Sequence, residues 1–211
     1  MIILHATEIQ VISAGKALVD GVSTHLHSGD VLLLCGHNGS GKTTFLRVLA
    51  FHGVPTSGTY AVIVNGNQLN PQEAKRIIGA QVGEIVYFKN STPTSTLESQ
   101  MGMFGKQCDI ETTLADFNLF HLKDQDCTQL SKGERKRLGL ARAFCTDPQI
   151  LLLDEPESGL DEKSFTNLLT KVQRNKERGG IAVIATHAPD RFADFLPQRM
   201  NFLQGAVYAA E

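Results

Sequence analysis

Three short apolar runs stand out in the hydropathy pattern of the chain: Val31–Cys35, residues 150–153 and Ile181–Ala185. Each is rich in leucine, isoleucine, valine or alanine and lies among glycine, aspartate or histidine, which is typical of strands buried on both faces of a parallel sheet. Helical patterns follow, over residues 43–51 and Glu162–Glu177. The pattern predicts an α/β core that binds its ligand at the carboxyl ends of the strands.

The rest of the chain has weaker periodicity. Residues 2–31 alternate weakly and predict an antiparallel β edge, and residues 60–64 before Asn65-Gly66 predict a further strand and turn. We interpret residues 84–129 as a mostly helical insertion. The expected organisation is one domain over residues 1–211, with its core at about 1–83 and 141–211 and a helical subdomain at about 84–140.

The composition predicts one globular domain that binds no nucleic acid and does not span a membrane by itself. The 211 residues are 42% hydrophobic and 20% charged, which suits one globular domain with a substantial core. A formal charge of −2 gives no basic face, so we expect no nucleic-acid partner. The apolar runs are shorter than the roughly 20 residues of a membrane helix, and the N-terminus does not resemble a signal peptide.

The four cysteines favour a reducing compartment. They lie far apart, without a C-x-x-C pair, and we expect each to pack as a small apolar residue rather than to bind metal or form disulfides. They are Cys35, Cys108, Cys127 and Cys145.

A complete G-x-x-x-x-G-K-T motif lies between the first buried strand and the first helix. Glycines allow backbone N–H groups to approach phosphate oxygens, and the helix N-terminus adds donors and the positive end of its dipole. Lys42 is expected to reach the β- and γ-phosphates and Thr43 to bind Mg²⁺. A ligand-free turn is the disfavoured alternative. The predicted nucleotide-binding residues here are Gly36, His37, Asn38, Gly39, Ser40, Gly41, Lys42, Thr43 and Thr44.

Polar side chains follow the other two buried strands. Asp154 and Glu155 end one of them, and His187 follows the next. Asp154 suits the shell of a Mg²⁺ ion, and Glu155 suits the base that orients an attacking water. His187 is predicted as a donor to the γ-phosphate. We therefore expect Lys42, Glu155 and His187 to be catalytic.

A capping box precedes a basic helix. Ser131 and Glu134 have the spacing of reciprocal N-terminal caps, and a capped helix N-terminus with glycine and lysine is also an anion site. The simplest interpretation of the cationic residues that follow is a solvated helix face. They are Arg135, Lys136, Arg137 and Arg142.

With these motifs in this order, the chain resembles the ABC ATPase family. Leu130-Ser131-Lys132-Gly133-Glu134 is similar to the family signature, Ser158-Gly159-Leu160-Asp161 to its D-loop, Gln81 to its Q-loop residue and His187 to its switch histidine. The matches spread over residues 31–190. The resemblance implies a P-loop NTPase fold with a mainly parallel core sheet, and ATP and Mg²⁺ as ligands.

The resemblance also implies a head-to-tail dimer. Each ATP lies between the phosphate loop of one copy and the signature of the other, and the partner is a second copy or a related cassette. Hydrolysis then drives separate transmembrane subunits, which places the chain peripherally on the cytoplasmic face of the membrane. The residues so implied are Thr43, Gln81 and Asp154 for Mg²⁺, and Gln81, Ser131, Lys132, Gly133, Glu134 and Asp161 for nucleotide.

The chain departs from the family pattern at several positions. Lys132 replaces the common glycine, Glu134 the common glutamine, and Glu157 the common small hydroxyl residue. No aromatic residue lies near residues 11–14 for the usual adenine stack. Because Lys42, Asp154, Glu155 and His187 are all present, active hydrolysis is still expected.

Two functional hypotheses remain at this point. The first is the ATPase subunit of a membrane transporter, with a resemblance over residues 179–187 to the small ATPase of the cytochrome c biogenesis haem exporter. The second is a soluble ABC ATPase of DNA repair or translation, which is disfavoured because the chain has one cassette and no sustained heptads. A P-loop kinase would leave Ser131 to Glu134 and Asp161 unexplained.

Overall fold

The computed structural model describes residues 1–83 and 86–208 as two β-sheets with surrounding helices. The strands are β1 (Ile2–Ser13), β2 (Lys16–His27), β3 (Val31–Cys35), β4 (Ser57–Val64), β5 (Asn67–Gln68), β6 (Ile78–Gln81), β7 (Ile150–Asp154), β8 (Ile181–Ala185), β9 (Gln198–Leu203) and β10 (Ala206–Tyr208). The α-helices are α1 (Lys42–Leu49), α2 (Pro71–Lys75), α3 (Pro93–Phe104), α4 (Ile110–Asp116), α5 (Lys132–Phe144) and α6 (Glu162–Glu177). Short 3₁₀ turns cover Phe120–Leu122, Cys127–Gln129 and Pro189–Phe195.

The core sheet has the strand order β10-β9-β3-β8-β7-β6. All neighbouring pairs are parallel except β9 with β10. The three predicted buried strands are β3, β8 and β7, and they lie side by side at its centre. The prediction of a mainly parallel core is confirmed, and the carboxyl ends of these strands share one edge.

The antiparallel strands form a sheet of their own, in the order β2-β1-β4-β5. The predicted antiparallel β edge is confirmed and takes the form of a second sheet. It is a separate sheet because β1 and β2 are long strands with one buried face: Leu4 pairs with Leu26, and both are fully buried against the cluster that contains Phe45 of α1. Two sheets that each bury one face on α1 are the result.

The core sheet is covered on both faces because its strands alternate between two apolar clusters. Leu32 and Leu34 of β3 face α1 and the antiparallel sheet. Leu33 of the same strand faces the other cluster, with Leu138 of α5 and Leu168 of α6. The result is a layered α/β domain.

Helices occupy the stretch predicted to be helical. Thr92 caps α3, with Pro93 in the first turn, and Gly105 ends the helix in the left-handed conformation. The predicted start of the helical subdomain at residue 84 and the predicted core residues 209–211 lie outside the described residues. Helix α5 runs across the predicted boundary at residue 140, and the division into two subdomains stays a prediction.

Close packing of α5 on β6 predicts that Gly79 admits no side chain. A Cβ there would overlap the carbonyl oxygen of Ala143 and lie 2.7 Å from Cγ of Pro148. Gly79→Ala should lower the free energy of unfolding by about 1–3 kcal/mol, since the backbone must shift. Urea unfolding measures this change.

Gly102→Ala in α3 is the matched control, because within residues 1–83 and 86–208, and apart from the adjoining residues and the helix backbone, no heavy atom lies within 4 Å of a Cβ at that position. It should be neutral or stabilise by about 1 kcal/mol or less. Equal unfolding midpoints for the two variants would contradict the packing described.

Candidate functional site

Four adjacent strands bring the predicted site residues to one edge of the core sheet. The glycine-rich loop follows β3, Gln81 ends β6, Asp154 ends β7 and His187 lies two residues after β8. These strands run parallel in the order β3-β8-β7-β6. Residues far apart in sequence therefore meet around one cleft.

The backbone of the phosphate loop is fixed by the strands behind it. Gly36, Gly39 and Gly41 have φ values of 138°, 77° and 111°, which L side chains rarely adopt. A Cβ at Gly36 would overlap the carbonyl oxygen of Phe202, and one at Gly41 would overlap that of Leu18. Only glycine fits both positions, so the loop keeps the open curve that anion binding requires.

Lys42 lies inside this loop. Its Nζ donates to the carbonyl oxygens of Gly36 at 2.6 Å and His37 at 3.0 Å. Burial lowers the pKa of Lys42, and the charges of Glu155 and Asp154 act in the opposite direction. Among the described residues, the buried Oγ of Ser40 has no hydrogen-bond partner. A buried amine and an unpaired hydroxyl within a glycine cradle fit a bound phosphate group.

Thr44 and the exposed loop residues complete the segment. Thr44 is half-buried in the first turn of α1, and Asn38 and Gly39 are exposed. The ring Nδ1 of His37 lies 2.8 Å from the carbonyl oxygen of Asn38. The outer residues of the loop therefore face solvent, whereas Lys42 lies within it.

Oxygen ligands suitable for Mg²⁺ gather beside the loop. The Thr43 hydroxyl donates to Oδ2 of Asp154 at 2.9 Å, and the same oxygen accepts the Gly83 N–H at 3.1 Å. Gln81 is 3% exposed, and its Oε1 has no partner within residues 1–83 and 86–208. A hydroxyl, a carboxylate and an unpaired amide oxygen are hard ligands, so the residues fit this ion.

Glu155 and His187 form a pair next to these ligands. Oε1 of Glu155 lies 2.6 Å from Nε2 of His187, and the two side chains are 34% and 40% exposed, so water reaches both. Glu155 has a φ of 48°, and its N–H donates to Ala185 at 2.8 Å. A strained backbone of this kind is common at functional sites, and here the neighbouring strand holds it.

Thr186 supports the His187 turn and was missed by sequence reasoning. It is fully buried, its hydroxyl donates to Oε1 of Glu157, and its Oγ1 accepts the N–H of Ala188 at 2.9 Å. The sequence shows that Glu157 replaces the common small hydroxyl residue of the family. It does not show the hydrogen-bond partner of Glu157, because that partner depends on the fold. The only sequence signal was a hydroxyl residue directly before the histidine.

The start of α5 lies beside the D-loop segment. Ser131 and Glu134 form the predicted capping box, with Oε2 of Glu134 accepting the Ser131 N–H at 2.7 Å. A Cβ at Gly159 would lie 3.7 Å from Cα of Gly133. Asp161 caps α6 by accepting the Ser164 N–H at 2.7 Å and does not line the cleft. The start of α5 and the segment 158–161 are therefore neighbours through Gly133 and Gly159, whereas Asp161 lies outside the lining of the cleft.

A cleft of about 600 Å³ separates the acidic edge from α5. One side carries the acids and the oxygen atoms suited to Mg²⁺, from Thr43, Gln81, Asp154 and Glu155. The other side is basic and carries Lys132, Arg135 and Lys136. The expected solvated basic face is therefore wrong for Lys136, which is half-buried opposite the acids. Burial lowers its pKa, against the charges of Glu155 and Asp154. The sequence signal that could have predicted the position of Lys136 was its four-residue spacing from Lys132, which places both lysines on one helix face.

Arg135 also differs from a purely solvated side chain. Its guanidinium donates to the carbonyl oxygens of Leu130 at 2.8 Å and Thr128 at 3.3 Å. These bonds tie the first turn of α5 to the segment before it. Arg135 therefore both stabilises the start of α5 through these hydrogen bonds and contributes a positive charge to the lining of the cleft.

Comparison with known proteins decides the family. Residues 19–158, more than half of the chain, match the family model described as ABC transporter. The chain belongs to this family. The matched range includes the phosphate loop, the signature segment and both acids of the ABC cassette, whereas Asp161 and His187 lie beyond it.

Curated relatives agree with this assignment. The cassette is 35% identical to the cytochrome c biogenesis ATP-binding export protein CcmA of Ruegeria pomeroyi, over 87% of the chain and 84% of the relative. It is 33% identical to the methionine import ATP-binding protein MetN of Chlamydia pneumoniae, over 96% of the chain and 65% of the relative. The chain spans 57–66% of the length of five such relatives. Similarity to the cytochrome c biogenesis ATPase is confirmed, at an identity close to that for MetN.

Solved structures share the fold. An ATP-binding subunit of an ABC transporter superposes with a TM-score of 0.83 at 22% identity, over 98% of this chain and 88% of the other. A dimeric bacterial ABC transporter cassette gives a TM-score of 0.79 at 20% identity, over 99% and 97%. The predicted P-loop NTPase fold is confirmed.

The buried hydroxyl of Thr186 predicts a stability effect. Thr186→Val removes a donor to Glu157 and an acceptor for Ala188, so it should lower the free energy of unfolding by about 1–3 kcal/mol. Thr166→Val is the matched control, because Thr166 is exposed and its hydroxyl donates only within α6. Thermal or urea unfolding of both variants measures the difference, and equal loss in the two would refute the buried role.

Proposed function

We propose that this chain is the ATP-binding and hydrolysing subunit of an ABC transporter and dimerises head-to-tail around two MgATP. The observation that carries the proposal is the Thr43–Asp154 hydrogen bond of 2.9 Å. It joins the phosphate loop to the acidic strand end, directly beside the Glu155–His187 pair. Folding alone does not require Thr43, Asp154, Glu155 and His187 to meet at the carboxyl edge of the core sheet.

The chain's own residues account for substrate binding. Backbone N–H groups of residues 36–43 and the N-terminus of α1 bind the phosphates, while Lys42 supplies a buried positive charge. Thr43, Asp154 and Gln81 are positioned to hold Mg²⁺. The ion, when bound, neutralises phosphate charge and polarises the phosphoryl oxygens.

Glu155 and His187 account for proton handling. The Glu155 carboxylate accepts a hydrogen bond from the attacking water and takes its proton as the bond from water oxygen to the γ-phosphorus forms and the bond from that phosphorus to the bridging β–γ oxygen breaks, which releases ADP and phosphate. A general base typically contributes on the order of 10²–10⁴ in rate. Nε2 of His187 lies 2.6 Å from Oε1 of Glu155, so His187 orients the carboxylate, and in the cationic ring, which carries a proton on each nitrogen, the second N–H donates to the γ-phosphate.

The signature supplies the second half of each site. Ser131 to Glu134 offer a capped helix N-terminus with a lysine, and Lys132 lines the cleft whose other side carries Thr43 of the phosphate loop. A symmetric pair of chains places this segment over the partner's nucleotide, in a homodimer or with a related cassette. The dimeric cassette with the same fold supports this arrangement.

Transport is the proposed use of the hydrolysis energy. No helix within residues 1–83 or 86–208 combines the length and the apolarity needed to cross a bilayer. We propose that separate transmembrane subunits receive the motion and hold the chain at the cytoplasmic face of the membrane. The names of the relatives, which include import and export proteins, support a transporter but differ in substrate.

ATPase measurements over a range of protein concentration test the proposal. Specific activity should rise with concentration, since two chains complete each site. Glu155→Gln should lower the rate by about 10²–10⁴ and elute as a dimer in MgATP. Glu177→Gln is the matched control, because that exposed carboxylate lies in the last turn of α6, away from the cleft.

Two results would overturn the proposal. One is a constant specific activity from a protein that stays monomeric in MgATP. The other is a Glu155→Gln variant that hydrolyses ATP at the rate of Glu177→Gln.

A further inference from the structure

Two histidines face each other on the outer surface of the antiparallel sheet, and neither lines the nucleotide cleft. His5 of β1 pairs directly with His25 of β2 in the strand register. Their sequence neighbours Leu4 and Leu26 are fully buried, so the alternation of the strands turns both imidazoles outward. His25 is exposed and His5 half-buried. Cross-strand pairing therefore holds two metal-binding rings side by side at the surface.

The ring nitrogens converge. Nδ1 of His5 lies 2.8 Å from Nδ1 of His25, and Nε2 of His5 lies 2.7 Å from Oγ1 of Thr7. When His5 donates its Nε2–H to the Thr7 hydroxyl, its Nδ1 carries a lone pair directed at His25. A hydrogen bond from the second ring nitrogen is the device that orients histidine ligands in metal sites.

We propose that His5 and His25 chelate a Ni²⁺ or Cu²⁺ ion through their Nδ1 atoms. In the metal-free protein one proton lies between these nitrogens. On binding, the His25 proton leaves Nδ1 and a proton is taken up at the exposed Nε2, so both rings stay neutral as metal ligands must be. The site belongs to the surface of the sheet and is independent of the nucleotide site.

The spacing of the two nitrogens can be compared with the ligand spacings of the candidate ions. Ligand nitrogens about 2.0–2.1 Å from one metal lie about 2.9 Å apart at a right angle and about 3.4 Å apart at a tetrahedral angle. The 2.8 Å between the two Nδ1 atoms is the hydrogen-bond distance of the metal-free pair, and it is close to the right-angle spacing, so small rotations of the two rings bring both nitrogens to one ion at that angle. Right angles belong to the tetragonal and octahedral geometries of Cu²⁺ and Ni²⁺, whereas Zn²⁺ prefers the tetrahedron.

The surroundings favour a small two-ligand site. On the opposite side of β1, His5 pairs with Ala61 of β4, and Ile3 pairs with Ile63, so no lysine or arginine faces His5 there. The ring of His27 packs beside His25, with centroids 4.7 Å apart. Across the described ranges, no three histidine, cysteine or acidic side chains form a ready cage. Water completes the coordination of the bound ion.

Calorimetric titration with Ni²⁺, on the nucleotide-free whole chain, tests the proposal. Wild type should bind one equivalent that His5→Ala and His25→Ala both lose. Thr7→Val should keep the site but bind about tenfold more weakly, because it removes the orienting hydroxyl. Zn²⁺ should bind the same site more weakly than Ni²⁺. Any Ni²⁺ held at the acidic edge of the nucleotide cleft is common to all variants and cancels in the difference.

His121→Ala is the matched control, because His121 is an exposed histidine in the 3₁₀ turn Phe120–Leu122. It should bind Ni²⁺ as wild type does. Ni²⁺ should also raise the unfolding temperature of wild type and His121→Ala by more than that of His5→Ala or His25→Ala, which keep only the Ni²⁺ binding common to all variants. Equal Ni²⁺ affinity in wild type, His5→Ala and His25→Ala would overturn the site, as would loss of binding in only one of the two histidine variants. Circular dichroism of each variant confirms that the sheet is intact.

Discussion

Parallel pairing of β3, β8 and β7 is the constraint on which the candidate site depends. Leu34 pairs with Ala185, and Ala185 pairs with Asp154, so the phosphate loop, His187 and the two acids leave the sheet at one level. A shift of one residue in either pairing would turn the alternate face of the strand toward the cleft. The register is held because Leu33 and Leu34 bury themselves in opposite clusters.

Backbone conformation then determines which side chains can act. At Gly36 and Gly41 the strands behind the loop leave no room for a Cβ, so the phosphate cradle is built from main chain. At Glu155 a left-handed backbone turns the side chain toward His187. Strain at one residue is stabilised by the hydrogen bond from its N–H to β8. The reactive pair is thus preorganised by the same strands that form the core.

Local patterns in the sequence predicted the fold class and much of the site. The three apolar runs became the central strands, and the glycine-rich motif lies between a strand and a helix, because both signals are carried by consecutive residues. The family match confirms the resemblance found from residues 31–190. The roles of the individual site residues remain predictions.

Features that depend on tertiary packing could not be predicted in this way. The antiparallel strands form their own sheet because α1 covers them, and no local pattern reports that. Lys136 faces the acids instead of solvent because α5 packs on β6, and Thr186 meets Glu157 across two loops. Predicting any of these three features would have required the relative positions of elements that are far apart in sequence.

Mixing two inactive variants tests the head-to-tail account most directly. Lys42→Ala disables the phosphate loop and Ser131→Arg blocks the signature of the same chain. In a head-to-tail dimer of one copy of each, one site combines the intact loop of the second variant with the intact signature of the first. The account predicts ATPase activity in the mixture that neither variant shows alone. A mixture that stays inactive while both variants remain folded and associated would contradict it.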